Sequence, residues 1–183
     1  LIAQYIGAGE KEDARSMANQ IFICAMGFAV VCAALCFLGT PAIVNWLGAD
    51  GGTAYYARVY LRVVIWDMPF LYMVNIFSAV HQAQGDTVRP MFLNLGGITL
   101  NLFLDPFFMI ILDMGTAGAA LATLLAKAVP AMVAFALLCR PENDICLNRR
   151  YMRLQKEKLG MILKVGLPTA IGGSTMQLGF LLM

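Results

Sequence analysis

The sequence predicts an all-α protein, a polytopic transmembrane helix bundle, and three observations predict it. Of its 183 residues 60% are hydrophobic and 13% charged, whereas soluble domains run nearer half and a quarter. Apolar stretches long enough to cross a bilayer, about 20 residues each, alternate with short polar turns. Lys and Arg collect in every second turn, as they do on the cytoplasmic side of membrane proteins.

Residues 1–16 open with Gly7 and Gly9, then Glu10, Lys11, Glu12, Asp13 and Arg15, a polar turn leading into a helix. Residues 17–38 carry no charge and predict a first span, which Gly39-Thr40-Pro41 is expected to end or bend. A loop follows over 45–52. Trp46, Tyr55, Tyr56 and Tyr60 suit a membrane–water interface.

The second span is expected over 56–80, with Arg58 and Arg62 reaching back to the interface. Asp67 lies deeper, before Met68-Pro69, where a kink is expected. It reads either as part of a substrate path or as a vestibule charge paired with an arginine. Arg62, five residues away, lies on a different helical face. A polar turn over 81–90 follows, and His81, the one histidine of the chain, reads as an ordinary loop residue rather than a proton relay.

The third span, 91–112, contains Asn101-Leu102-Phe103-Leu104-Asp105-Pro106. A carboxylate deep in an apolar run is costly, so it marks a functional site or has a partner that offsets the cost. Asn101 and Asp105 are four apart and share a helical face. Pro106 frees the carbonyl of Leu102. All three are oxygen groups suited to a proton or a small hard cation.

The return over 113–118 leads into a fourth span, 117–138, with Gly118, Ala119, Ala120 and Ala122 allowing close helix approach. This span also carries Thr123, Lys127 and a kink at Pro130. At ~1.5 Å per residue, Asp105 and Thr123 lie at similar depth, roughly 10 Å from the outer end of their spans. A short turn makes the two helices neighbours, so Asn101, Asp105 and Thr123 are expected to converge. Lys127, one turn deeper, could instead form an ion pair with Asp105.

Residues 140–164 are the most basic part of the chain and read as an amphipathic helix on the membrane surface; a truncated fifth span starts at 165. The charge distribution puts 1–16, 81–90 and 140–164 on the cytoplasmic side. The chain opens on Leu1, shows no signal-peptide pattern and ends inside an apolar stretch, so it is expected to be a fragment. Five cysteines without CxxC spacing read as packing residues rather than a disulfide or zinc framework. The 12 methionines read the same way, although a Met-rich cavity would suit loosely specified apolar ligands. Nucleic-acid binding is not expected of a basic segment flanked by membrane spans. A membrane-embedded enzyme is not expected either, with one His and no paired acids in the spans.

Several motifs carry a resemblance. Tyr5-Ile6-Gly7-Ala8-Gly9-Glu10, Gln84-Gly85-Asp86-Thr87 with Arg89-Pro90, the Asn101–Pro106 segment, and the run from Gly115 to Thr123 resemble, in order and spacing, the multidrug and toxic compound extrusion (MATE) transporters. The resemblance implies part of the N-terminal lobe of a twelve-helix transporter. Residues 1–139 would hold helices 3–6 of that lobe, 140–164 the cytoplasmic linker between lobes, and 165–183 the start of helix 7 in the C-terminal lobe. It also implies alternating access in the cell inner (plasma) membrane. The protein would act as a monomer in contact with lipid, exporting amphipathic or cationic small molecules against H⁺ or Na⁺, with no cofactor beyond the coupling ion.

The Leu104-Asp105-Pro106 form looks most like the DinF-like and archaeal branch. That branch implies a cation site made of Asn101, Asp105 and Thr123 with a helix-1 aspartate that lies upstream. Lys127 departs from the uncharged residue expected there, which tips the coupling towards H⁺. Desolvation favours a neutral carboxyl, so Asp105 is expected to take a proton from outside and shift the balance of outward- and inward-facing states. Lys127 and Asp67 are possible modulators or parts of the substrate path. The alternative is a lipid-linked precursor flippase of related fold, which would need several arginines facing the lumen; only Arg62 and Lys127 are candidates.

Overall fold

The computed structural model describes residues 1–46, 48, 51–140, 145–147 and 155–182. In lipid, backbone polar groups must be satisfied within the segment, so apolar spans become helices. The elements in chain order are α1 (Ile2–Gly7), α2 (Lys11–Trp46), α3 (Gly51–Val64), a 3₁₀ turn (Ile65–Asp67), α4 (Met68–Ala83), α5 (Val88–Pro106), a π turn (Phe107–Ile111), α6 (Gly115–Leu138) and α7 (Lys156–Leu182). Among the described residues, four stretches are long and apolar enough to cross a membrane: α2, α3 with α4, α5 with the π turn, and α6.

Several boundaries differ from expectation. Gly39-Thr40-Pro41 does not end the first span, since α2 runs on to Trp46 with Pro41 inside it. The Thr40 hydroxyl donates to the Cys36 carbonyl at 2.9 Å, and a proline inside a membrane-spanning helix is tolerated more readily than in a soluble one. His81 is helical and only 2% exposed, not a loop residue. Its Nδ1 lies 3.0 Å from the Phe77 carbonyl and its ring centroid 4.0 Å from that of Phe77. The turn instead begins at Gln84, and the Asp86 carboxylate accepts from the N–H groups of Val88 (3.0 Å) and Arg89 (3.2 Å) to start α5.

The break expected at Asp67-Met68-Pro69 is present as the 3₁₀ turn, and Pro69 sits in the first turn of α4, where its missing N–H costs nothing. Of the basic segment, Arg149, Arg150 and Arg153, with Tyr151 and Leu154, lie outside the described residues. Its last part is the N-terminal portion of α7, one helix through Pro168. Leu47, Ala49 and Asp50 of the first loop also lie outside the described residues.

The core sits where α2 begins and α4 and α6 end. Met17, Met73, Phe77, Val80, Ala134 and Leu138 are buried there, with Ile2 of α1 against them. The other faces carry large exposed apolar side chains such as Ile98, Leu102, Phe103 and Ile110, the surface expected of lipid-facing or helix-facing spans. Trp46, Tyr55, Tyr56 and Tyr60 are exposed, as an interfacial position requires.

Candidate functional site

The site is built on the pairing of α5 with α6. Within α5, the Asn101 amide donates to Asp105 Oδ1 at 3.2 Å, the bond that i, i+4 spacing allows. Both side chains are half-buried. Directly after Pro106 the helix widens into the π turn, closed by the Leu112 N–H donating to the Phe107 carbonyl at 3.1 Å. π turns inside α-helices recur at functional sites. Here the turn follows the acid at once.

Two glycines let the helices close. A Cβ on Gly118 of α6 would lie 2.7 Å from the Phe108 carbonyl oxygen of the π turn. A Cβ on Gly97 of α5 would lie 3.1 Å from both the Ala126 carbonyl oxygen and Pro130 Cγ of α6. Any side chain at Gly118 would push the helices apart. Ala120 and Ala122 are fully buried in the same stretch, in accord with the expected close approach.

The closure leaves a cavity of about 240 Å³ beside the pair, lined by Leu71, Val74, Asn94, Asn101, Thr123 and Lys127 among others. Three of the residues singled out in the sequence, Asn101, Thr123 and Lys127, thus face one space, while Asp105 does not line it and is joined to it through its hydrogen bond with Asn101. The Thr123 hydroxyl donates to the Ala119 carbonyl at 2.9 Å, which leaves its oxygen free to accept from or coordinate a ligand. Asp105, Asn101 and Thr123 supply oxygen atoms of the kind a small hard cation takes.

Lys127 does not pair with Asp105. Its ammonium lies 2.5 Å from Asp67 Oδ2, with Asp67 6% exposed and Lys127 38%. The partner of Asp67 is therefore a lysine sixty positions on, not an arginine. Arg62 goes elsewhere, its guanidinium 5.8 Å from the Phe37 ring centroid. Of the side chains lining the cavity only Lys127 is charged, so the row of arginines that a flippase lumen would need is not seen among the described residues.

Asn94 is a cavity residue that sequence reasoning passed over. Its amide donates to the Pro90 carbonyl at 2.8 Å. The signal was present: Asn94 is seven positions before Asn101, two helical turns along the same face.

Bundled apolar spans with a largely apolar cavity between paired helices define a polytopic membrane protein. The MatE family model matches residues 1–107, and the chain belongs to that family. It is 26% identical to the multidrug export protein MepA of Staphylococcus saprophyticus over 91% of the chain and 37% of that protein. It is 32% identical to the probable multidrug resistance protein NorM of Thermotoga maritima over 99% of the chain and 40% of that protein. Among solved structures, a MOP superfamily transporter from Pyrococcus furiosus matches with a TM-score of 0.89 at 28% identity, over 98% of the chain and 40% of that one. An inward-facing multidrug resistance MATE family transporter matches with 0.84 at 30%, over 91% and 38%. The chain spans about two-fifths of the length of these relatives.

Proposed function

We propose that the chain is the larger part of the N-terminal lobe of a cation-coupled multidrug exporter. Residues 140–164 would then link the lobes on the cytoplasmic side, and the protein would lie in the cell inner membrane. The observation that carries the reading is the Asn101–Asp105 hydrogen bond beside a cavity shared with Thr123, in a family whose relatives include multidrug export proteins. The Leu104-Asp105-Pro106 form supports the DinF-like and archaeal branch.

In this reading Asp105 is the coupling group. Charged, it accepts the Asn101 amide. When it takes up a proton, that bond weakens from a charge-assisted to a neutral one. The helix after Pro106 is already a π turn rather than a regular α-helix, so it offers a place for α5 to change register. A ligand with different affinity for the two arrangements would shift their populations. Na⁺ would use the oxygens of Asp105, Asn101 and Thr123, and Lys127, held by Asp67, leaves the choice between H⁺ and Na⁺ to the gradient experiment.

The test is gradient-driven efflux by the full-length protein in proteoliposomes, with a pH gradient and a Na⁺ gradient imposed separately. Asp105→Asn should abolish efflux under the coupling gradient while the protein still inserts. Normal efflux by that variant would overturn the proposal.

A further inference from the structure

We propose that the polar turn between α1 and α2 forms a cytoplasmic latch for the start of α7. Asp13 grips Lys158, Gln20 grips the backbone at Gln155, and the grip opens and closes as the transporter changes state. The proposal rests on the exporter reading above. It gives a role to the charged turn that opens the chain, which the cation site does not use.

The turn is shaped to present its acid. The Glu10 N–H donates to the Tyr5 carbonyl at 2.9 Å, and Gly9 takes a φ of +78°, which residues with a Cβ rarely adopt. α2 then starts at Lys11 with Glu12 and Asp13 in its first turn, where the positive end of the helix dipole favours acids. α7 starts less favourably. Lys158 falls in its first turn, and a cation at that end opposes the dipole. Asp13 offsets the mismatch, since Lys158 Nζ lies 2.9 Å from Asp13 Oδ1.

Three further contacts act on the same stretch. The Gln155 N–H, just before α7, donates to Gln20 Oε1 at 3.3 Å. Gln20 is fully buried, so a side chain fixed in the bundle takes up a donor at this helix end. The Tyr5 hydroxyl lies 3.9 Å from Met161 Sδ, and Ile162 packs against the buried core. The start of α7 is thus held by residues of α1 and α2 at the far end of the sequence.

The grip is also shallow. Asp13 is 53% exposed, although Lys158 is only 13%, and ion pairs that water reaches hold weakly. The Tyr5–Met161 contact is exposed as well. Such a hold favours one placement of α7 and still parts within a transport cycle, when a ligand shifts the balance of states.

The experiment uses the full-length protein, freed of its native cysteines, in proteoliposomes with the coupling gradient imposed. Asp13→Cys and Lys158→Cys are placed together and joined by ethane-1,2-diyl bismethanethiosulfonate, a short linker that dithiothreitol removes. Linking should stop efflux and reduction should restore it, while the same reagent leaves either single-cysteine variant active. Continued efflux by the linked protein would overturn the proposal, because the grip would then be a fixed joint.

A second measurement needs no gradient. Met161→Cys reports the contact with Tyr5 through its rate of labelling by an impermeant maleimide on the cytoplasmic side. Adding Asp13→Lys should speed that labelling about threefold, the scale of a lost exposed ion pair. Exchanging the charges, Asp13→Lys with Lys158→Asp, should return it to the starting rate. Equal rates in all three proteins, or faster labelling that the exchange does not reverse, would overturn the proposal. A linked protein that still exports sinks the latch and leaves the exporter reading standing. A wild type that exports under neither gradient sinks the exporter reading, and the labelling rates still decide the grip.

Discussion

Lys127 Nζ of α6 lies 2.5 Å from Asp67 Oδ2 in the 3₁₀ turn between α3 and α4. The contact ties the break in the second span to the helix that carries Thr123. It also removes Lys127 from Asp105, so the acid of α5 keeps Asn101 as its partner.

Breaking this ion pair from one side should destabilise the bundle. Losing one partner of a fully buried pair costs ~3–5 kcal/mol, and the 38% exposure of Lys127 lowers the expectation to about 2 kcal/mol. Lys127→Met should therefore lower the thermal unfolding midpoint of the detergent-solubilised protein. Asp67→Asn in the same chain should restore most of it. Additive losses in that double-mutant cycle would show the two residues to be uncoupled.

Gly118 and Gly96 should respond in opposite directions to the same change. A Cβ on Gly118 would lie 2.7 Å from a backbone carbonyl oxygen, whereas one on Gly96 meets nothing within 4 Å. Gly118→Ala should cost about 1–3 kcal/mol by overpacking. Gly96→Ala should be neutral or stabilising by up to about 1 kcal/mol through helix propensity. Thermal midpoints measured side by side decide it, and equal shifts would contradict the close packing of α6 on the π turn.

Asn101→Leu keeps the size of the side chain and removes the donor that reaches Asp105 Oδ1. Efflux under the coupling gradient should fall about tenfold, the scale of a lost hydrogen bond to a charged group. Expression and affinity for an uncharged ligand should stay near wild type. A variant that transports normally would remove Asn101 from the coupling site.

Cys139 reports on both sidedness and charge. It follows the last residue of α6 and is exposed. Partial burial of its sulfur, and then the neighbouring Cys146, push its thiol above the ordinary range. The thiolate is the reactive form, so alkylation should be slow at neutral pH and accelerate as pH rises beyond the range where a free cysteine ionises. An impermeant maleimide should reach Cys139 from the cytoplasmic side, and an Asp113→Cys replacement from the opposite side. Labelling of both from one side would overturn the proposed orientation.

The helical spans were legible because the signal is local. An uncharged run such as 17–38 must fold as a helix if it sits in lipid, whatever surrounds it. The kink at Pro69, the Asn101–Asp105 pairing and the small-residue start of α6 were legible for the same reason, since each depends on residues within a turn or two. His81 misled because it is polar and stands next to a turn, yet its ring is held by Phe77, four residues earlier on the same helix. Of the two outcomes expected at Gly39-Thr40-Pro41, an end to the helix did not occur, since α2 runs on to Trp46 and membrane spans tolerate an internal proline.

By itself, then, the sequence determined that this is a membrane-spanning helical bundle with an acid–amide pair in its third span. Hydrophobic length and i, i+4 spacing act along one chain segment and need no partner. The tertiary structure decided which helix each charge answers to. Asp67 and Lys127 are sixty positions apart, and neither could be assigned until α6 was packed against the broken second span. That packing directs the lysine into the cavity, with the aspartate behind it and Asp105 left to Asn101. The reason is physical: the cost of a charge in an apolar interior is met by whichever opposite charge the fold brings close, and closeness between segments is a property of helix packing rather than of sequence spacing.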